Sequence, residues 1–168
     1  MKKLIQWLRN HLFIFTIFVL MTGGVSGFGL GIYPLPILVA EEGLSQSELT
    51  QLSAQPQDQI RRGIFIRDLP GSDAFHWGEG EIFASPERIW LDGRIAPGPD
   101  YRLYLTKGQV KTKAEFLAIK SQALQIAPVK AFENFSLSVP DGLDISAYDS
   151  VVIWCEAFSA FITSAQLR

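Results

Sequence analysis

Tyr148-Asp-Ser-Val-Val-Ile-Trp-Cys155-Glu-Ala-Phe158 is the stretch that decides the fold of this chain. Val151, Val152, Ile153 and Trp154 are β-branched or aromatic without interruption, with a polar turn before them and Glu156 after them. A run of this kind predicts a central strand buried on both faces. It ends in the single cysteine of the 168 residues, so no intrachain disulfide can form. A lone thiol at the end of a core strand is either a small hydrophobe or a reactive atom, and composition does not choose between them.

The neighbouring stretches carry the same strand signature in shorter form. Arg61 to Arg67 is a strand candidate ended by Leu69-Pro-Gly71, and Phe75 to Ala84 is a second, with glycines that suggest a bulge or a close approach. Arg88-Ile-Trp-Leu91 begins a third, and Asp92-Gly93 after it predicts a hairpin turn. Tyr101, Leu103 and Leu105 share one face at period two. Thr112 to Gln122 predicts a short helix or an ordered connection. Phe135 to Val139 alternates until Pro140-Asp-Gly142, and Ala160 to Leu167 closes the chain after the cysteine strand. About six to eight short strands with turn signals between them predict an all-β domain over residues 60–168, a β-sandwich or a barrel.

The N-terminal part is of a different kind. From Leu12 to Ala40 run 29 residues without Asp, Glu, Lys or Arg, where a membrane span needs about 20. Lys2, Lys3 and Arg9 precede this run, and Glu41 and Glu42 follow it. The positive-inside rule therefore leaves residues 1–11 in the cytoplasm and exports the rest. Leu38-Val39-Ala40 is a poor cleavage signal and the apolar run exceeds a signal-peptide core of roughly 7–15 residues, which favours an uncleaved single-pass anchor over residues 12–40. Gly23, Gly27 and Gly31 repeat at four, as in helix-packing surfaces, but a weakly specified anchor is the preferred reading. Residues 41–59 are rich in Ser, Gln and Glu and predict a stalk, with a cap-like Ser45 starting one or two helical turns.

Of the 15 basic residues, Lys2, Lys3 and Arg9 lie before the span, so the exported part carries 12 against 17 acidic ones, a net charge of −5. That balance gives no reason to expect nucleic acid or anionic lipid as a partner.

Further along, the residues resemble a known family. Gly98-Pro99-Asp100-Tyr-Arg-Leu-Tyr104-Leu105, Val139-Pro140, Asp144-Ile145, Tyr148, Ser150-Val-Val-Ile-Trp-Cys155-Glu156, Phe158 and Ala165-x-Leu167 together resemble the DM13 domain. Gly63-x-Phe65 and His76-x-Gly78 fit the start of its pattern. The resemblance implies an extracytoplasmic all-β module with a proposed electron-transfer role. Its signature cysteine, Cys155 here, would act as a bare thiol or as ligand to a prosthetic group such as haem. A redox partner protein is expected on the same ground. The chain departs from the family at Lys130-Ala-Phe-Glu-Asn134 and at Phe161-Ile162, where related sequences usually carry glycine.

The residues themselves leave the chemistry open. Cys155 is either packed inertly beside Val151 and Ile153 or serves as a redox thiol or ligand, and without a second cysteine any disulfide cycle needs a partner thiol. His76, the exported histidine, is either satisfied by a backbone hydrogen bond beside Phe75 and Trp77 or assists Cys155 as a second ligand or a proton carrier. No Cys-x-x-Cys-His motif occurs, so covalent c-type haem is excluded. Asp141, Asp144 and Asp149 fit turn-capping better than a calcium loop. No hydrolase or nucleotide-binding motif occurs, so a redox or binding module is expected rather than a stand-alone enzyme. The alternative to the redox module is a non-catalytic β-sandwich that binds or adheres at the cell envelope, with Cys155 as a buried structural residue.

Overall fold

The computed structural model describes residues 2–32, 34–54 and 59–168. Helices α1 (Lys2–Asn10), α2 (Leu12–Ile32), α3 (Pro34–Leu38) and α4 (Gln46–Ser53) precede strands β1 (Arg61–Phe65), β2 (Gly78–Ala84), β3 (Arg88–Ile95) and β4 (Tyr101–Thr106). Helix α5 (Lys113–Ile119) follows, and then β5 (Leu124–Val129), β6 (Ser136–Ser138), β7 (Ser150–Cys155) and β8 (Ala160–Gln166). Two four-stranded antiparallel sheets result, in the orders β1-β2-β3-β6 and β5-β4-β7-β8. The domain is thus sandwich-like. The barrel alternative does not hold: the sheets stay open, although Arg62 and Arg168 exchange backbone hydrogen bonds of 2.9 and 2.8 Å across one edge. Helices α4 and α5 also pack against the strands, so the domain is β-rich rather than purely β.

Strand β7 is central, lying between β4 and β8, and all six of its residues are buried. Its alternation sends Val151, Ile153 and Cys155 into the core between the sheets. Val152 and Trp154 go to the outer face, where Phe116 of α5, Leu69, Val110 and Phe161 cover them. Thr112 caps α5 by accepting the Glu115 backbone N–H, and Phe116 is the buried residue that the helix delivers to Trp154, with the two rings 4.9 Å apart.

One expected turn is corrected. Asp92-Gly93 is not a turn; β3 runs through it, and Gly93 pairs with Gly80 of β2. Both glycines have positive φ (117° and 152°), and a Cβ on either would come within 2.7 Å of the other's Cα, so the pair exists to let two strands approach. The β2–β3 connection is instead made at Ser85-Pro86-Glu87, where Ser85 N–H donates to Arg88 O at 2.8 Å and Arg88 N–H to Ser85 Oγ at 3.1 Å. The sequence also hides β5, because Pro128 argues against a strand; β5 is an edge strand, where a missing N–H is tolerated.

The segment expected as a stalk lies against the domain over its described part. A capping box between Ser45 and Glu48 starts α4, and Leu49 is buried with Ile60, Phe83 and Trp90. Trp90 stacks on Phe83 at 5.1 Å, and its indole N–H has no hydrogen-bond partner. An orphaned donor costs about 1–3 kcal/mol. Burying an indole of roughly 200 Å² contributes on the order of 5 kcal/mol at ~25 cal/mol per Å², so burial wins. Leu44 N–H donates to Asn134 O at 2.8 Å, and Glu41 N–H to Lys130 O at 3.1 Å, so the β domain sits close to the end of α3. We predict that Leu49→Ala lowers domain stability by about 2–4 kcal/mol in urea unfolding followed by tryptophan fluorescence. A freely hanging stalk would show no change.

Candidate functional site

Cys155 is the last residue of β7, and its surroundings follow from what flanks that strand. At its end the chain turns through Glu156 to Ser159, the latter at φ 47°, and returns as β8. Facing it is the loop Pro97-Gly98-Pro99-Asp100, held by two contacts. The Cys155 thiol donates to Pro99 O at 2.9 Å, and Glu156 N–H donates to Asp100 O at 3.0 Å. Asp100 takes φ 51° to make that turn, and its carboxylate is paired with Arg102 at 2.6 Å. Gly98 is required because a Cβ there would lie 2.3 Å from the Tyr101 hydroxyl.

Beside the sulfur is a small cavity of about 120 Å³, lined by Phe75, His76, Pro97, Tyr101 and Phe158 together with Cys155. The structure therefore brings both sequence-derived candidates, Cys155 and His76, to one place. Cys155 is 2% exposed, whereas Phe75 and Phe158 are 61% and 51% exposed. The sulfur is shielded by protein, and exposed aromatic side chains line its cavity.

His76 is oriented by a residue that sequence inspection missed. Asp73 Oδ1 accepts the backbone N–H groups of Phe75 (2.7 Å) and His76 (2.9 Å), while Oδ2 lies 2.8 Å from His76 Nδ1. A proton on Nδ1 shared with this carboxylate leaves Nε2 as the ring's lone pair, the arrangement that orients ligating or proton-accepting histidines. Burial pushes the Asp73 carboxyl up, but its hydrogen bonds to His76 and Phe75 outweigh that and hold it below the ordinary value. The available signal was the Asp-x-x-His spacing.

Burial pushes the Cys155 thiol above its ordinary value near 9. The backbone N–H groups of Phe158 and Ala157 act in the opposite direction and offset only part of the rise, and Asp100 and Glu156 add to it. At neutral pH the side chain is therefore an S–H donor and not a free thiolate. Glu156 points away from it into another cluster: its carboxylate bonds Lys120 Nζ at 2.6 Å and Tyr104 OH, and Tyr104 OH also lies 2.8 Å from Gln125 Oε1. Burial works against ionisation of Glu156, but Lys120 and Tyr104 prevail and hold its carboxyl low. Burial and the adjacent carboxylate of Glu156 push Tyr104 well above the usual phenol range.

Asp144 accepts the Ser146 backbone N–H at 2.8 Å, which is the turn-capping role. Among the described residues no group of three or more His, Cys, Asp or Glu side chains comes together to hold a metal ion.

The family model described as electron transfer DM13 matches residues 69–167, more than half of the chain. The chain belongs to the DM13 family. The matched span begins before the His76 loop and ends after β8, so it takes in every residue of the cysteine cavity. No curated protein and no solved structure matches the chain. For the DM13 domain the Gly98-Pro99-Asp100 and Trp-Cys155-Glu156 blocks are two sides of one contact, the loop that closes over the sulfur.

A haem does not fit this cavity: about 120 Å³ is well below the roughly 300–1,000 Å³ of sites for drug-sized ligands, and a porphyrin is larger still. The S–H is also committed to Pro99 O. We predict that iodoacetamide alkylates Cys155 at pH 8 about 100-fold more slowly in the folded chain than in urea. Since the folded thiol titrates above its unfolded value, its stabilising contribution is complete below pH 9 and is lost as pH climbs through the folded value. Cys155→Ser, measured by urea unfolding between pH 8 and 11, removes that part of the decline.

Proposed function

We propose that this DM13 protein is a membrane-anchored electron-transfer module whose redox centre lies at Cys155, with His76 as the assisting side chain and Asp73 as the residue that positions it. The observation that carries the proposal is the convergence of Cys155 and His76, far apart in sequence, on one small cavity with an exposed aromatic rim. Leu12–Leu38, with a mean hydropathy of 1.9, is long and apolar enough to cross a membrane, and it would anchor the module with its N-terminus in the cytoplasm and the β domain outside. The centre handles a small group bound in the cavity, which is sized for an ion or a few light atoms, or the sulfur itself: its thiol, losing its proton, attacks a disulfide of the partner and forms a mixed disulfide while the partner's other sulfur leaves as a thiol. The rim of Phe75 and Phe158 is where a redox partner protein would dock, since exposed aromatics mark contact surfaces.

The test is a spectroelectrochemical titration of the full chain purified in detergent from its native membranes. Reversible electron exchange is expected, through the bound small group or, with a small-molecule disulfide present, through the thiol, lost in Cys155→Ser and shifted in potential in His76→Phe and Asp73→Asn. A redox-silent protein would overturn the proposal and leave a non-catalytic envelope module with a structural cysteine. A Soret band that depends on Cys155 would preserve electron transfer but overturn the small-group centre, because it would require the aromatic rim to open.

A further inference from the structure

A larger groove of about 570 Å³ lies on the other side of the loop that closes over Cys155. One wall is the end of the apolar segment, Leu35, Pro36 and Val39; the other is the DM13 domain, where Tyr101 and Phe132 meet edge to face with ring centres 5.9 Å apart. Val39 and Leu35 are 66% and 56% exposed. Since these residues end the membrane-spanning run, the groove opens at the bilayer surface, and its natural occupant arrives from the lipid phase.

The polar groups at the groove narrow the choice. Lys130 pairs with Glu41 at 2.8 Å and Arg102 with Asp100 at 2.6 Å, so two cations face two anions. An anionic headgroup gains no net attraction there. A neutral aromatic ring with carbonyl acceptors does better: the ring stacks against Tyr101 and Phe132, and its oxygens take N–H donors that Arg102 and Lys130 do not use in their ion pairs. The volume falls within the roughly 300–1,000 Å³ of small-molecule sites. Gly98, Pro99 and Tyr101 line both the groove and the cysteine cavity, and Pro99 O is the atom that accepts the Cys155 thiol proton. A ring held in the groove would therefore touch residues that also line the cavity of the sulfur.

We infer that this groove binds the ring of a lipid-soluble quinone. The inference rests on the electron-transfer proposal for the quinone's purpose, but binding is measured without it. The full chain in phosphatidylcholine nanodiscs is photolabelled with an azidobenzoquinone bearing a ten-carbon tail, and the labelled peptides are identified by mass spectrometry. Label is expected on peptides containing Tyr101 or Phe132, reduced at least fivefold by excess decylubiquinone and not by decylphosphocholine. The groove-filling variants Leu35→Trp and Val39→Trp, both at exposed positions, are expected to lose at least fivefold. Label confined to residues 12–32, equal competition by decylphosphocholine, or full labelling of both tryptophan variants would overturn the inference in favour of bilayer partition or an ordinary lipid. Specific labelling of a redox-silent chain would uphold the quinone site while the electron-transfer proposal falls.

Discussion

Strand β7 can be apolar on both faces only if each face is covered, and that requirement organises the domain. A sheet of four strands leaves two faces open to water. The inner face of β7 is covered by the second sheet, with Ile82, Ile89 and Leu91 in the core shared with Ile153 and Cys155. The outer face has no third sheet and is closed by α5 and the segments around Leu69 and Val110, with Trp154 as their common contact. Fully burying Trp154 and the three aliphatic residues before it contributes several kcal/mol apiece at most. A total stability of roughly 5–15 kcal/mol cannot spare that contribution.

The same burial sets the chemistry of Cys155. The residue ends the strand, so its backbone is fixed by pairing with Tyr101 and Ala160, while its sulfur emerges at the edge of the core. There the Pro97–Asp100 loop meets it with a carbonyl. Low polarity around the sulfur disfavours the thiolate, and a carbonyl acceptor is served only by the thiol form. A sulfur held this way differs from reactive thiolates, which are exposed and flanked by cations. Phe75 and Phe158, both exposed, line the cavity beside it.

Much of the fold was legible because period-two patterns and continuous apolar runs are local properties. Tyr101 to Thr106 and Ser150 to Cys155 carry such patterns and are strands, and Ser45 caps the helix its spacing predicts. Asp92-Gly93 was misread because the turn preference of that pair is a statement about φ, and a cross-strand glycine pair uses the same freedom without turning. The strand Leu124–Val129 was missed because proline is prohibitive only where an N–H is needed, and which strands lie at an edge is a property of the whole sheet. The packed course of residues 41–54 was missed because Leu44, Leu49 and Leu52 are too few to signal a core of their own; Phe83 and Trp90 complete it from distant strands.

The sequence by itself determined the apolar N-terminal span, the sandwich-forming strands and the family, since each is carried by contiguous residues. It also singled out Cys155 and His76 as candidates for redox or ligand chemistry. Tertiary structure alone decided that these two share a cavity, that Asp73 orients the histidine, and that Pro99 O receives the thiol proton. It alone decided, too, that the end of the apolar span and the domain enclose a groove. The physical reason is range. Propensity and periodicity act over a few residues, whereas cavities, their polarity and the protonation of what lines them arise from segments that only packing brings together.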